Sequence, residues 1–290
     1  MHTVRPAAVA GAFYPGGQSA LSRTVQALLA DAASAVDASA ATPKAIIVPH
    51  AGYIYSGATA ALAYARLSSA RSRIRRVILL GPVHRVPVRG LALPGADAFA
   101  TPLGDIEIDQ AAVAALAALP QVRVSSAAHT REHSLEVQLP FLQSVLDDFR
   151  LVPLAVGDAT PTEVAQVLET LWGGPETLIV ISSDLSHFLP YRDAQTVDRE
   201  TVQDIMDLHG TLTHEQACGG TPVNGLLLVA SRLRLQPQLL GLCNSGDTAG
   251  DKSRVVGYAA LAFMEPSGTD RSDAQRASSV PNTPGKPYVH

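Results

Sequence analysis

The sequence predicts an α/β protein: a single domain with a central, largely parallel or mixed sheet flanked by helices. Short runs that are wholly apolar and rich in β-branched residues are typical of strands buried on both faces. These runs alternate with alanine- and leucine-rich segments of helical periodicity. No linker or repeat interrupts residues 1–265, which we expect to form the domain. Residues 266–290 are rich in Ser, Pro, Thr, Gly and charge, and this composition predicts a disordered tail.

The predicted elements follow in chain order from an extended arm at residues 4–16. Asp109 is a suitable N-cap for one helix, and Pro161 takes the favoured first position of another, after Thr160. A helix expected to start at Ser134 contains Pro140 in its second turn, which predicts a bend. The predicted strands cover residues 45–48, 75–80, 89–93, 106–108, 151–156, 178–181, 239–242 and 255–263. The predicted helices cover 19–36, 56–67, 109–119, 192–208 and 222–235, two more start at 134 and 160, and 99–104 is predicted to be a loop.

The bulk composition argues against several classes of function. The chain has 290 residues and a net charge of −4 without a basic block, so neither a nucleic-acid surface nor a nucleic-acid partner is expected. No apolar run reaches the ~20 residues that span a bilayer, and the first residues lack the apolar core of a signal peptide, so no membrane partner is expected. The two cysteines, Cys218 and Cys243, cannot form a disulfide framework, which favours a cytoplasmic protein.

Three of the predicted buried strands lead directly to a histidine. The strand at 45–48 is followed by His50, the strand at 75–80 by His84, and the strand at 178–181, through Asp184, by His187. One such histidine is usually structural, but three in one sheet are a stronger signal. If the strands are parallel, these histidines share the carboxyl edge of the sheet, where open α/β proteins bind their ligands.

A cysteine and a fourth histidine add to this set. Cys218 precedes Thr221, an expected N-cap, and Pro222, an expected first helical residue, and a helix N-terminus favours a thiolate. A small buried thiol that only packs is an equally good interpretation. His133 lies beside the predicted helix start at residue 134, where a structural hydrogen bond is as plausible as a functional role. Cys243 follows a strand without a helix start beside it and ranks behind Cys218.

Neutral imidazoles combined with a thiolate or carboxylate suit a transition metal and leave coordination positions open for catalysis. His187 is then a further ligand or an acid/base, and Asp184 orients it or binds the metal. Tyr53 and Tyr55 either shape the pocket and donate a hydrogen bond or pack in the core. A metal-free alternative is a nucleophilic pair of Cys218 with one histidine.

Seven motifs in order resemble the Memo-like protein family, whose bacterial members are called AmmeMemoRadiSam system protein B. The resemblance runs from about Val4 to Phe263, and the family is similar in fold to class III extradiol ring-cleaving dioxygenases, which use non-haem iron(II). The motifs are VPHAGYIYSG, LLGPVHRVP, AFATPLG, EHSLEVQLPFL, LVPLAVG, ISSDLSH and ACGGTPV.

By position, the resemblance implies that His50, His84 and Cys218 are metal ligands, with the cysteine in the place of a dioxygenase glutamate. It also implies that His187 is an acid/base, that Asp184 belongs to the same motif and that His133 lines the pocket. Thiolate ligation makes the site softer, so the expected cofactor is one transition-metal ion, either iron(II) or copper(I).

The resemblance implies a metal-dependent, dioxygenase-related oxidoreductase that acts on a small-molecule or peptide substrate. The alternative is a non-catalytic module that uses the same cleft to bind copper, a peptide or another ligand. The family name further implies a radical SAM protein and an AMMECR-type protein as partners. The chain lacks a CxxxCxxC motif, so it is not itself the radical enzyme.

Overall fold

A computed structural model describes residues 2–34 and 41–266 of the chain. Beyond residue 266, the predicted tail lies outside the described residues. The strands are β1 Val4–Arg5, β2 Ala45–Val48, β3 Arg76–Pro82, β4 Leu91–Leu93, β5 Ala98–Thr101, β6 Gly104–Glu107, β7 Val122–Val124, β8 Arg150–Val156, β9 Thr177–Ser182, β10 His187–Leu189, β11 Gln236–Asn244 and β12 Val255–Met264. The α-helices are α1 Gln18–Ala33, α2 Tyr53–Ala65, α3 Gln110–Ala115, α4 Ser126–Thr130, α5 Leu139–Val145, α6 Pro161–Leu171, α7 Tyr191–Met206 and α8 Gly220–Leu233.

The main sheet is mixed, as predicted. Its order is β10-β12-β2-β9-β3-β8-β4-β7, and β11 pairs with the outer side of β12. The central strands β2, β9, β3 and β8 are parallel to one another. Strand β12 is antiparallel to β2, and β4 is antiparallel to β8. A second, smaller sheet has the order β1-β5-β6. The predicted α/β class with one central sheet flanked by helices is therefore confirmed.

Helices cover both faces of the main sheet, which explains why its central strands are apolar at every position. In β2, Ile46 and Val48 pack in the core that includes α1, α2 and α5. Ala45 and Ile47 point the other way, into the core that includes α6, α7 and α8. Among the described residues, no helix is long and apolar enough to cross a membrane.

The parallel register brings the predicted strand ends to one edge. Val48 pairs with Ser182 across β2 and β9, and Leu80 pairs with Ile181 across β3 and β9. The chain leaves all these strands at nearly the same level, so the residues after them meet above the sheet. His50, Asp184 and His84 follow β2, β9 and β3 in that spatial order.

The starts of α2 and α5 differ from the prediction. Helix α2 begins at Tyr53 rather than near residue 56, because the Tyr53 amide donates to the Phe13 carbonyl and the Ser56 hydroxyl donates to the Ala51 carbonyl instead of capping the helix. The expected helix start at Ser134 was wrong, since its hydroxyl donates to the Pro82 carbonyl and α5 begins only at Leu139. Pro140 then occupies the first turn of α5, where it needs no bend.

The predicted loop at residues 99–104 was also wrong. Residues 98–101 form β5, which pairs with β1 on one side and with β6 on the other. Phe99 is buried there, and Thr101 pairs with Gly104 at the tight turn between the strands. The segment is too short to show a strand period, and only its partners at both edges stabilise it as a strand.

Candidate metal centre

Three imidazoles meet above the carboxyl edge of the sheet. The ring centroids of His50 and His84 lie 5.2 Å apart, those of His50 and His133 lie 5.4 Å apart, and those of His84 and His133 lie 4.5 Å apart. One nitrogen of each ring lies within 4.8 Å of the others, an arrangement that can hold a metal ion. His133 comes from the segment between α4 and α5 rather than from the end of a parallel strand.

A hydrogen-bond chain sets the tautomer of His50. The Ser182 hydroxyl donates to the Ser134 carbonyl at 2.6 Å and accepts from the Gln138 amide at 2.8 Å. The Tyr64 hydroxyl donates to Oε1 of Gln138, which fixes the orientation of that amide. Because the single Ser182 proton is already used, Nδ1 of His50, at 2.9 Å, must donate to it. Nε2 of His50 therefore carries a free lone pair.

Glu132 holds the other two histidines. Its Oε1 accepts from Nδ1 of His84 at 2.8 Å and from the backbone amides of His133 and Ser134, while Oε2 accepts from the His84 amide at 2.6 Å. Burial opposes ionisation, but the hydrogen bonds and charge of His84 and the Ser134 amide lower the pKa of Glu132 to about 2. An ionised carboxylate thus fixes the His84 proton on Nδ1 and leaves Nε2 available, as in carboxylate–histidine–metal sites.

His133 carries an unpaired nitrogen inside the cluster. Its Nδ1 is buried without a hydrogen-bond partner, although Oε1 of Glu132 lies 3.3 Å away. Burial and the neighbouring His84 lower the pKa of His133 to about 4, and burial likewise lowers the pKa of His50 well below its ordinary value. The imidazoles of His50 and His133 are therefore neutral at pH 7. A donor set of neutral imidazoles with free lone pairs fits a transition-metal ion.

The N-terminal arm packs over this cluster. The Phe13 ring lies 4.7 Å from the ring of His133. Buried Glu136 holds the arm by accepting hydrogen bonds from the Arg5 guanidinium, the Ala8 and Val9 amides and the Tyr14 hydroxyl. The same short segment, residues 132–138, therefore supplies a histidine to the centre and anchors the arm that covers it.

Cys218 lies against His50. Its Sγ is 3.3 Å from Nε2 of His50, and its backbone amide donates to the Asp184 carbonyl. Burial and the charge of Asp184 raise the pKa of the Cys218 thiol to about 12, so the expected thiolate does not form in the metal-free protein. The thiol donates to the Nε2 lone pair instead.

The expected N-cap at Thr221 was wrong, because α8 already begins at Gly220, with Gly219 as its N-cap. The Gly219 amide donates to the Ser183 hydroxyl at 2.9 Å, and a Cβ at Gly219 would lie 2.7 Å from the Ser183 Cβ. Only a glycine allows this close approach, which seats Cys218 beside the end of β9.

Asp184 and His187 lie next to the centre. Oδ1 of Asp184 accepts from the His50 amide at 2.7 Å, its Oδ2 lies 3.9 Å from Nε2 of His50, and burial raises its pKa to about 7. Nδ1 of His187 donates to the Leu185 carbonyl at 2.8 Å, which leaves Nε2 as an acceptor. Burial lowers the pKa of His187, so its imidazole is neutral at pH 7 and its Nε2 can act as a base.

The two tyrosines lie beside the N-terminal arm. Tyr53 is buried and donates to the Val137 carbonyl at 2.7 Å, while Tyr55 is partly exposed. Both line a groove of about 510 Å³ together with Phe13. A larger cleft of about 660 Å³ adjoins the imidazole cluster and is lined by His84, Cys218 and residues between 82 and 88. Cys243 instead lies 3.0 Å from the Thr59 hydroxyl.

Sequence reasoning missed the residues that orient the histidines. Glu132, Ser182 and Gln138 were not among the candidate site residues, although each makes a hydrogen bond to a histidine of the cluster or to a residue that does. Glu132 could have been found from the sequence, because it is an acidic residue directly before a candidate histidine. Gln138 had none, because its role depends on how the segment after His133 folds back onto β9.

Comparison with known proteins gives one consistent family. A family model described as Memo-like protein matches residues 5–262. A MEMO1 family protein of Aquifex aeolicus (strain VF5) is 35% identical over 274 residues, which cover 90% of this chain and 99% of the relative. MEMO1 family protein MTH_45 of Methanothermobacter thermautotrophicus is 34% identical over 278 residues, which cover 89% of this chain and 100% of the relative. The crystal structure of an uncharacterized Escherichia coli K12 protein, JW3007, is 15% identical at a TM-score of 0.48 and covers 75% of this chain and 98% of its own.

Proposed function

The chain belongs to the Memo-like protein family, and from this premise we propose that it is a metal-dependent redox protein whose single metal ion binds at the imidazole cluster. The donor atoms that already lie within 4.8 Å of one another are those of His50, His84 and His133. In the proposed set, His50, His84 and Cys218 are the ligands; Cys218 makes a close contact to His50, and His133 is within reach of the same ion. The observation that supports the proposal most directly is the orientation of the donors. Ser182 and Glu132 accept hydrogen bonds from Nδ1 of His50 and His84, so Nε2 of both rings carries no proton and can bind a cation in place of the thiol proton.

The distance between Cys218 and His50 is compatible with Cys218 as the third ligand. In a tetrahedral centre, a nitrogen ~2.0 Å and a sulfur ~2.3 Å from the ion lie about 3.5 Å apart. Sγ of Cys218 and Nε2 of His50 are already 3.3 Å apart. The raised pKa of the thiol does not oppose ligation, because a bound metal ion deprotonates a coordinating thiol. Sulfur ligation favours copper(I) over iron(II).

The chain's own residues can support redox chemistry at this centre. A bound copper or iron ion supplies the one-electron and oxygen chemistry that protein side chains lack. His187 accepts or returns a proton at Nε2, because its Nδ1 proton is held by the Leu185 carbonyl. Asp184 holds the His50 backbone in place, and the adjoining cleft receives the substrate. A metal-free cysteine nucleophile is less well supported, because a pKa of about 12 keeps the Cys218 thiol protonated.

Proton release on metal binding tests the ligand set. Titration calorimetry of zinc at pH 7, in buffers of different ionisation enthalpy, counts the protons released per ion. We expect about one proton from the wild type, none from Cys218→Ser and about one from His133→Ala. His50→Ala should lose most of the affinity, whereas His209→Ala, which changes an exposed histidine, should not. A wild type that binds zinc no better than His50→Ala contradicts the centre, and full affinity in Cys218→Ser without proton release makes His133 the third ligand.

Oxygen consumption separates a redox enzyme from a protein that only binds metal. The protein is loaded anaerobically with copper(I) or iron(II), and oxygen is then admitted in the presence of a reductant. Sustained oxygen uptake that His187→Gln slows while metal content stays unchanged is the expected result. Stoichiometric binding without uptake would favour the metal-binding module.

A further inference from the structure

Arg85 is a cation without a partner beside the candidate centre. It directly follows His84, is exposed and lines the cleft of about 660 Å³. Within residues 2–34 and 41–266, its guanidinium makes no hydrogen bond or ion pair. Arg89, four residues later, by contrast donates hydrogen bonds to the Glu163 carboxylate at 2.8 Å and to the Asp158 carbonyl at 2.6 Å. The donor groups of Arg85 are therefore available to a ligand.

No carboxylate of the described residues pairs with Arg85. Its charge acts on the cluster, because it contributes, after burial and the neighbouring His84, to lowering the pKa of His133. The Glu132 carboxylate is already saturated by His84 and backbone amides. Asp158, the carboxylate among the residues that line the cleft, lies 3.9 Å from Nε of Arg89. An anion entering the cleft would thus meet an unpaired positive charge.

The rest of the cleft is mainly apolar. Val83, Val86, Val88 and Val156 line it together with Arg85 and Cys218. Its volume lies within the ~300–1,000 Å³ that small-molecule sites occupy. One guanidinium in an apolar lining matches a ligand with one charged group and an apolar body. A phosphate dianion would require more cationic or amide donors than Arg85 provides.

We propose that the cleft binds a small apolar carboxylate, with Arg85 holding the carboxylate and the four valines contacting the body of the ligand. This rests on the proposed function only in that the far end of the ligand reaches the imidazole cluster, and it names the chemical class of ligand for that site. Arg85 then makes the cleft prefer an anionic ligand over a neutral one, and its planar guanidinium can bind both oxygens of a carboxylate.

Binding of 4-fluorobenzoate and of the neutral 4-fluorobenzamide, followed by ¹⁹F NMR, tests the proposal on the full chain. The two probes have the same shape and differ in charge. The metal-free wild type should bind the benzoate more tightly than the benzamide, and Arg85→Gln should weaken benzoate binding about fivefold without changing benzamide binding. Arg85→Lys should retain part of the preference, since it keeps the charge and loses the fork.

Arg89→Gln is the matched control, because it makes the same change in net charge at an arginine that is already paired. Its benzoate affinity should equal that of the wild type. The proposal is overturned if the wild type does not prefer the benzoate, if Arg85→Gln binds it as tightly as the wild type, or if Arg89→Gln loses as much affinity. Because these measurements use metal-free protein, a failure of carboxylate binding is distinguishable from a failure of metal binding, which the zinc titration detects. Repeating them with zinc-loaded protein shows whether the ion tightens carboxylate binding.

Discussion

Ser182→Ala removes the hydroxyl that fixes the His50 tautomer. That hydroxyl makes three buried hydrogen bonds, to the Ser134 carbonyl, the Gln138 amide and Nδ1 of His50. Each bond contributes ~1 kcal/mol, and a buried donor left unpaired costs ~1–3 kcal/mol. Gln138 keeps one amide proton bonded to the Pro49 carbonyl, so its second amide proton, the carbonyl of Ser134 and Nδ1 of His50 are the groups left without a partner. We therefore expect the free energy of unfolding to fall by about 2–4 kcal/mol.

The tautomer itself is the more specific measurement. With no acceptor at Nδ1, moving the proton to Nε2 avoids the buried unpaired donor, which favours the Nε2–H form by roughly fivefold to a hundredfold relative to the wild type. Two-bond ¹H–¹⁵N NMR correlations of the imidazole rings report the tautomer in the metal-free protein. The variant should also bind zinc more weakly, because the Nε2 lone pair is then protonated.

Ser183→Ala is the control for this experiment, since the Ser183 hydroxyl bonds to the Gly219 amide and the Asp184 carbonyl rather than to His50. It should lose stability and keep the wild-type tautomer. An Nε2–H form of His50 in the wild type, or an unchanged tautomer in Ser182→Ala, would refute the reasoning from the hydrogen-bond chain.

Three further predictions concern Glu132 and the C-terminus of α8. Glu132→Gln should weaken zinc binding by about 10- to 100-fold, measured by calorimetry, because an amide cannot accept from both His84 groups. The wild type should also lose stability as pH falls from 4.5 towards 2, since folding lowers the pKa of Glu132 to about 2; chemical denaturation of the variant should lack this part of the pH slope. Arg234 has a φ of 57° at the C-terminus of α8, so Arg234→Gly should raise the free energy of unfolding by about 0.5–1 kcal/mol. Arg232→Gly, inside the same helix and paired with Glu169, should lower it by about 1 kcal/mol, and equal shifts in the two variants would contradict the explanation.

The strand ends were predictable because a buried parallel strand has a local signature. The apolar runs before His50 and His84 required burial on both faces, and burial on both faces required helices on each side. Once the strands were taken as parallel, their following residues had to meet at one edge. Predicted helix starts beside Cys218 and His133 made both residues candidates, and the family motifs then implied a role for each.

The protonation states were not predictable from the same patterns. A cysteine ahead of a helix suggested a thiolate, but burial against Asp184 raises the pKa of Cys218 to about 12. The dipole of a helix N-terminus favours a thiolate only where this stabilisation is larger than the cost of removing the thiolate charge from water. How deeply Cys218 is buried depends on the contact of Gly219 with Ser183, two residues far apart in sequence.

The sequence by itself determined the central strands, the edge at which the functional residues lie and the types of donor available there, because hydrophobic periodicity and strand ends are local properties of the chain. Only the tertiary structure decided which nitrogen of each histidine is free. That choice depends on Ser182, Gln138 and Glu132, which come from separate parts of the chain and contact the histidines only after the segment at 132–138 folds against β3 and β9. Hydrogen-bond direction depends on every partner at once, so it follows from the assembled fold.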